Sequence, residues 1–536
     1  MTDARDAVIV VKFFRSSLWV LLVAILLTAG VVFAFSPIHA GKSPGLDASL
    51  FMYIGSGINK GQVLYRDLWD NKPPLIFFLD AFALRLAGGS ATPQWGVWAC
   101  ELAAWLLSVV LLFLLLRKEL GRAGLLFALL IFVLNLPVIF GAGNMTETFA
   151  LPCQLAGLYF FTCLEGEGRH PWPAFGLGAA FALAFLLKQT TIGVWLALAA
   201  YLILSRLFAG KLVKAYVIIW AAAGAALVTG AVLAYFVAHQ ALGNLWDAAF
   251  RFNYYYARAS FASHAAAVFG LLSGWSLLSS IFPLGVVAWL AGLFRLGGAA
   301  QSGRTGWEKS PLLLRIALID FPIECALLGV SSNAYQHYLV SMLPCLAILN
   351  GYLVHYLLKG MQKLKAGLRF PLGAGIYLLL LFLAVIQGVK TVDALYGANL
   401  PKQVSAALQY VDTHSSPTDA VLVWGYHPEI NFLSGRPAPS RFIHQIPLYT
   451  VGYATPQIFA ELLSDLQKTP PKLIVDTHTN RLPFLKMQNG RCVLPGGDLP
   501  QGMADVFEYI CAHYHNDGKI GSYGWSAFTL DTSPPQ

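Results

Sequence analysis

Runs of roughly 18–22 apolar residues recur along this chain, and each is long enough to cross a hydrocarbon core about 30 Å thick. The runs fall at residues 17–36, 95–116, 124–141, 147–164, 172–187, 191–208, 214–237, 267–294, 311–330, 338–358 and 370–389. Composition agrees: of 536 residues 57% are hydrophobic and only 12% charged, with a mean hydropathy of +0.61. A soluble chain would carry about twice that charged fraction. These features predict a polytopic α-helical membrane protein with about eleven transmembrane helices. The first run, Ser17 to Phe35, is too long for a signal-peptide core and is read as a retained helix.

The net charge of +9 sits mainly in short loops between apolar runs, where it sets orientation and gives no basic-aromatic surface for nucleic acid. With a cytoplasmic N-terminus, the inside segments hold Lys12 and Arg15; Arg117, Lys118 and Arg122; Arg169; and Arg206, Lys211 and Lys214. They continue with Arg295, Arg304 and Lys309, then Lys359, Lys363, Lys365 and Arg369, whereas the short outside loops 141–146 and 331–337 hold none. An odd number of spans then predicts an extracytoplasmic C-terminus. The chain divides into a membrane module, residues 1–390, and an extracytoplasmic α/β domain, residues 391–536.

In that tail, "DAVLVWG" (419–425) and "KLIVDTH" (472–478) read as strands, and residues 401–414 and 455–469 have helical apolar spacing. Residues 519–530 read as a Gly-interrupted strand or hairpin. Five of the seven cysteines lie in apolar runs, while Cys492 and Cys511 lie in the outer tail, where oxidising conditions permit a pair. No C-x-x-C spacing is present, which argues against a zinc or redox site.

Two outer segments are long, residues 37–94 and 238–266, and the second carries the aromatic-rich "FRFNYYYARASFASH" of a headgroup-level surface. In the first, Leu50, Phe51, Ile54 and Ile58 fall at helical spacing after Asp47, an acid placed for an N-cap or first turn. Pro73 and Pro74 then open a second short helix from Leu75 to Leu86. Two interfacial helices therefore flank the charged turn "YRDLWDNKPP" (65–74).

The first-loop stretch "LDASLFMYIGSGINKGQVLYRDLWDNKPPLIFF" and "GNMTETFALP" (143–152) resemble the GT-C superfamily of membrane glycosyltransferases. The resemblance is to the branch of protein O-mannosyltransferases and the bacterial transferases that modify lipid A with aminoarabinose. "LLKQTTIG" (186–193), "NAYQHYLVSMLP" (333–344) and "VWGYHPEINFLSGRPAPSRF" (423–442) add agreement, so the likeness spans nearly the whole chain. It implies a GT-C fold in the inner membrane. It further implies transfer of a sugar from a polyprenyl-phosphate carrier to a lipid, glycan or protein acceptor on the outer face.

The family's general base matches Asp47, its phosphate-contacting K-P lysine matches Lys72, and an acid heading the fourth span matches Glu147. Ala48 stands where the family usually has a second acid, and Asn71 where the aminoarabinose transferases have one, so a divalent metal ion stays open as a cofactor. The chemistry agrees with the roles. Sugar transfer needs a base for the acceptor hydroxyl and cations for the leaving phosphate. No G-x-G-x-x-G or P-loop is present, consistent with a lipid-linked donor.

Each candidate has a plainer reading beside it. Asp47 and Glu147 are placed to cap helices, and Lys72 to snorkel to the interface. Lys188 closes the fifth span at its outer end, where a buried cation is costly and often functional, and His337 with Tyr338 opens the tenth. Lys188, His337, Tyr338 and Arg258 join Lys72 as candidates for donor phosphate or lipid binding, with His264 as a further candidate. Arg66, Asp67 and Asp70 are read as loop-structuring ion pairs. The competing classes are a transporter or lipid flippase, which should show broken midplane helices and repeats, and a non-catalytic scaffold. The acids here cluster outside the bilayer, and Asp80 and Glu324, near or within apolar runs, form no evident relay.

Overall fold

The architecture was taken from a computed structural model. It describes residues 17–35, 44–88, 94–135, 143–165, 170–210, 212–273, 278–300, 310–362, 375, 401–479, 481–488, 491–496, 499–522 and 524–531. Helices occupy ten of the eleven expected spans, because uninterrupted apolar runs in a low-dielectric setting must satisfy their backbone groups internally. Four helical stretches are long and apolar enough to cross a membrane by themselves: Gln94–Leu116, Gln189–Leu207, Ala215–Ala238 and Gln336–Met361. Leu18–Ala34, Arg122–Leu134 and Trp172–Leu187 are shorter apolar helices. Helices Phe261–Ser273 and Leu278–Ala300 cover the described residues of the expected span at 267–294. The eleventh expected span, 370–389, lies outside the described residues apart from Gly375.

The two first-loop helices form as Leu46–Asn59 and Leu75–Leu86. The first buries Leu50, Phe51 and Ile54, and the two pack closely because Gly55 has no side chain: a Cβ there would lie 2.8 Å from the Ala81 amide nitrogen. Pro74 stands just before the second helix in helical conformation, and its carbonyl accepts from Phe78 N.

The tail forms a four-stranded sheet in the order β1-β2-β6-β5, with β1 at Val421–Trp424, β2 at Leu473–Asp476, β5 at Tyr514–Lys519 and β6 at Ser526–Leu530. β1 and β2 run parallel, with Val421 opposite Leu473, and the β5–β6 hairpin adds antiparallel with a bulge between Asn516 and Gly518. All four residues of β1, at one edge, and of β2 beside it are buried, because alternate residues pack into apolar clusters on opposite faces. A separate two-stranded ribbon pairs β3, Lys486–Gln488, with β4, Arg491–Val493. Helices Lys402–His414, Pro456–Lys468 and Met503–His513 accompany the sheet. Cys492 and Cys511 form a disulfide that ties the ribbon to the last of these helices.

One apolar core runs from the first-loop helices into the sheet, from Leu50, Phe51 and Phe77 through Trp69 to Trp424, Phe442 and Phe507. Trp69 is wholly buried at its centre. Its ring meets Phe252 edge-on at 4.8 Å, and its Nε1 donates to the Tyr453 hydroxyl at 3.2 Å. Its backbone N donates to Arg441 O at 2.9 Å, while the Arg441 guanidinium is held by Glu461 at 2.5 and 2.9 Å. The charged turn is thus clamped by the tail.

Candidate active site

The geometry of the turn 65–74 follows from its own residues. Tyr65 takes a positive φ of 65°, and Asp67 Oδ2 accepts from Val63 N at 2.8 Å while its carboxylate pairs with Arg66 at 2.9 Å on the surface. Asp70 does not join that ion pair. It is buried, its Oδ1 accepts the Lys72 backbone N at 2.7 Å, and its Oδ2 lies 3.6 Å from His444 Nε2. This Asx-type turn fixes the backbone that carries Lys72. Asn71 and Asn253 bond reciprocally, Asn71 Nδ2 to Asn253 Oδ1 at 2.8 Å and Asn253 Nδ2 to Asn71 O at 2.7 Å.

Asp47 lies in the first turn of Leu46–Asn59, where Gly45 and not Asp47 occupies the N-cap position and no side-chain cap bond forms. Its Oδ1 accepts a hydrogen bond from the Tyr426 hydroxyl. Burial acts to raise the Asp47 pKa, but Lys72, His337, Tyr426 and Lys188 outweigh it and hold the carboxyl below its ordinary value. The Lys72 ammonium is held above its ordinary value: burial pulls it down, and the Asp47 and Asp70 carboxylates more than compensate. At neutral pH the two therefore stand as carboxylate and ammonium. The ammonium also lies 5.9 Å from the Phe51 ring centroid.

A second ion pair adjoins the first. Glu147 opens the Thr146–Leu164 helix, with Met145 and not Glu147 at its N-cap, and is only 2% exposed. Its Oε1 accepts from the Lys188 ammonium and its Oε2 from Thr146 Oγ1 at 2.7 Å. Lys188 follows the Trp172–Leu187 helix in extended conformation and is buried; its ammonium lies 3.7 Å from the Tyr338 ring centroid. His337 Nε2 lies 3.8 Å from Glu147 Oε1, and its ring packs edge-on against Tyr338 at 4.8 Å. A small cavity beside the pair is lined by Glu147, Lys188, Glu324, Ser331, Tyr338 and Ser341.

Asp47, Lys72, Glu147, Lys188, His337 and Tyr338 therefore share one electrostatic neighbourhood. Arg66 and Asp67 stay at the surface, and Arg258 stands exposed in the turn after Phe252–Tyr256. His264 serves the neighbouring loop, its Nδ1 lying 2.7 Å from Gly329 O ahead of His337.

The sequence reading passed over Tyr426, Tyr256, Glu324 and Asn144 as members of the site or its supports. Tyr426 follows the C-terminal end of a parallel strand, the place where α/β sheets commonly present functional groups. Tyr256 faces Lys72, which depresses the rise that burial gives its phenol. Asn144, at a positive φ of 58°, donates its amide to Asp80 Oδ2 at 2.7 Å and its backbone N to Glu101 Oε1 at 2.8 Å. That node joins the second first-loop helix to the residues leading into Glu147.

Asn71 is neutral and its amide is engaged by Asn253, and among the described residues no three His, Cys, Asp or Glu side chains gather to hold a divalent cation. The residues do not fit such an ion.

Residues 71–236 match the family described as dolichyl-phosphate-mannose-protein mannosyltransferase. The fold matches ArnT from Cupriavidus metallidurans bound to undecaprenyl phosphate, with a TM-score of 0.60 and 14% identity over 96% of this chain and 99% of that one. The apo state of the same protein matches with a TM-score of 0.58 over the same shares and at the same identity. The Archaeoglobus fulgidus oligosaccharyltransferase in complex with zinc and sulfate matches at 0.55 and 14% identity, over 85% of this chain and 67% of that one. No curated protein matches the sequence. The family match and the shared fold support one class, the GT-C superfamily of membrane glycosyltransferases. Within it they support the branch of protein mannosyltransferases and ArnT, the branch that the first-loop motif resembles.

Proposed function

We propose that the protein transfers a sugar from a polyprenyl-phosphate carrier to a lipid, glycan or protein acceptor on the outer face of the cell membrane. The observation that carries this reading is the neighbouring carboxylate and ammonium of Asp47 and Lys72, each favouring the other's charged form, beside the buried Glu147–Lys188 pair at the helix ends. The ArnT match, a structure bound to undecaprenyl phosphate, supports the donor class. An integral membrane location with the sheet on the outer side completes the reading.

Asp47 takes the proton of the acceptor hydroxyl as its oxygen attacks the anomeric carbon. The bond from that carbon to the phosphate oxygen breaks, its electron pair stays on the phosphate, and the anomeric configuration inverts. Lys72 stabilises the charge that builds there, and the cluster of Lys188, His337 and Tyr338 holds the donor's phosphate end, an electrostatic task suited to a partly dry site. Arg258 steers phosphate from its exposed position. Glu147 fixes Lys188, so its contribution is orientation and charge balance.

The test uses purified protein, radiolabelled polyprenyl-phosphate sugars of several types, and extracted envelope lipids, glycans and proteins as acceptors. Labelled acceptor should form with the native chain and not with Asp47→Asn. Failure of every donor, or undiminished transfer by Asp47→Asn, counts against the assignment. Movement of label across sealed vesicles without a covalent product would favour a transporter.

A further inference from the structure

The sheet reaches the reacting carboxylate through one side chain. Gly425 follows β1 with a φ of 138°, a conformation that L side chains rarely adopt, and a Cβ there would lie 1.9 Å from Thr477 Oγ1. That turn sends the next residue, Tyr426, away from the sheet, where its ring packs edge-on against His444 at 5.0 Å and its hydroxyl donates to Asp47 Oδ1. Among the described residues this is the side-chain hydrogen bond that Asp47 accepts. His444 is itself 3% exposed and sits against Trp69 and Asp70, so the tyrosine leans on the same knot that anchors the charged turn.

We propose that Tyr426 is the positioning residue of the Asp47 base, so that the C-terminal α/β segment completes the catalytic site in addition to any part in acceptor recruitment. The inference rests on the reading of Asp47 as base. A carboxylate's terminal torsion has a broad, roughly two-fold profile and does not hold one orientation by itself. A donor on Oδ1 fixes the plane and leaves Oδ2 for the acceptor hydroxyl, and such prepaid orientation is a large share of what a transferase contributes. The donor must stay protonated to do this. Burial, with Asp47 and Asp70 close by, raises the Tyr426 phenol well above its ordinary value, so its proton stays on the tyrosine across the working range.

The experiment measures kcat/KM against pH for the native chain, Tyr426→Phe and Asp47→Asn, with a polyprenyl-phosphate sugar as donor. The acid limb reports deprotonation of the free base. Removal of a hydrogen bond to a charged group should move that limb upward by about one to two pH units and lower kcat by roughly ten- to a hundred-fold. The KM for the donor should change less than about two-fold, because Lys72 is untouched, a split that a purely structural defect does not produce. Replacement of Tyr426 by 3-fluorotyrosine, a more acidic donor, gives a second measurement on a chain of native shape, and should move the limb the other way. If Asp47→Asn is inactive while neither replacement moves the acid limb, the positioning role is overturned and the base assignment stands. If Asp47→Asn stays active, the base assignment itself fails.

Discussion

Removing one partner of the Glu147–Lys188 pair should cost far more than removing both. Glu147 is 2% exposed and Lys188 9%, so either group left alone is a charge held away from water. Breaking a buried pair from one side costs about 3–5 kcal/mol, whereas replacing both partners by neutral groups of similar volume is often neutral or stabilising. Lys188→Met also forfeits the contact over Tyr338, adding roughly 0.5–2 kcal/mol. The two losses differ in kind. After Lys188→Met, His337, 3.8 Å from Glu147, can take a proton and restore a partner at low pH, while Glu147→Gln leaves the ammonium with its aromatic face and the more distant Asp47 carboxylate. For a chain of this length, at about 1 °C per kcal/mol, Glu147→Gln should therefore lower the unfolding temperature in detergent by roughly 3–5 °C and Lys188→Met by roughly 4–7 °C. The Glu147→Gln/Lys188→Met double variant should recover most of that loss, giving a coupling of at least about 2 kcal/mol in the cycle. Transfer activity should stay low in all three. Additive losses, with the double variant the least stable, would refute the argument that the pair is buried and coupled.

The remaining predictions concern the turn and its supports. Lys72→Met should lower kcat/KM by roughly 10- to 150-fold, the value of a charge-assisted bond of about 1.5–3 kcal/mol. It should also move the acid limb of the pH profile upward: Lys72 depresses the Asp47 pKa, so without it the base is protonated at a higher pH, and a limb that moves down contradicts the assignment. Asn144→Ala should cost roughly 1–3 kcal/mol by leaving the buried Asp80 carboxyl without its amide donor, with added strain at a φ of 58°. Asn144→Gly should lose the same bond without the strain, so equal melting temperatures for the two variants would show that backbone conformation contributes nothing there.

Much of this molecule can be read from residue order because its strongest signals are local. Apolar runs dictate helices, and the Leu46–Asn59 and Leu75–Leu86 helices follow from apolar spacing and from Pro73 and Pro74. The strands around Val421 and Leu473 follow from short β-branched runs, and the last hairpin from its glycines. The ribbon of β3 and β4 escaped notice because three-residue strands carry almost no periodicity. Asp70 is read as loop-structuring, but spacing does not name its partners: the acid turns inward to the Lys72 amide and to His444, 374 positions away in the tail. Tyr426 shows the same limit. Nothing local marks it as a partner of Asp47, since 379 positions separate them and the fold alone closes the gap.

The charge count explains why such a cluster can exist at the rim of an apolar body. Asp47 and Asp70 act on Lys72, and Glu147 pairs with Lys188, so neither ammonium in the free site is left without a carboxylate opposite it. Under the proposed reaction the same balance survives the chemistry. As Asp47 takes up the acceptor's proton it loses its negative charge, and the phosphate gains one as the bond to the sugar breaks. Negative charge thus passes from carboxylate to phosphate, and the ammonium of Lys72 faces the carboxylate it starts from and is proposed to face the phosphate where it ends. A lysine so placed holds little preference for the start of the reaction over its finish, which lowers the cost of moving charge through a poorly solvated site. Tyr426 then has an opposing effect: by stabilising the Asp47 carboxylate it weakens the base, so its value must come from orientation. That is why its removal should shift the pH profile upward, toward a stronger base, and still slow the enzyme.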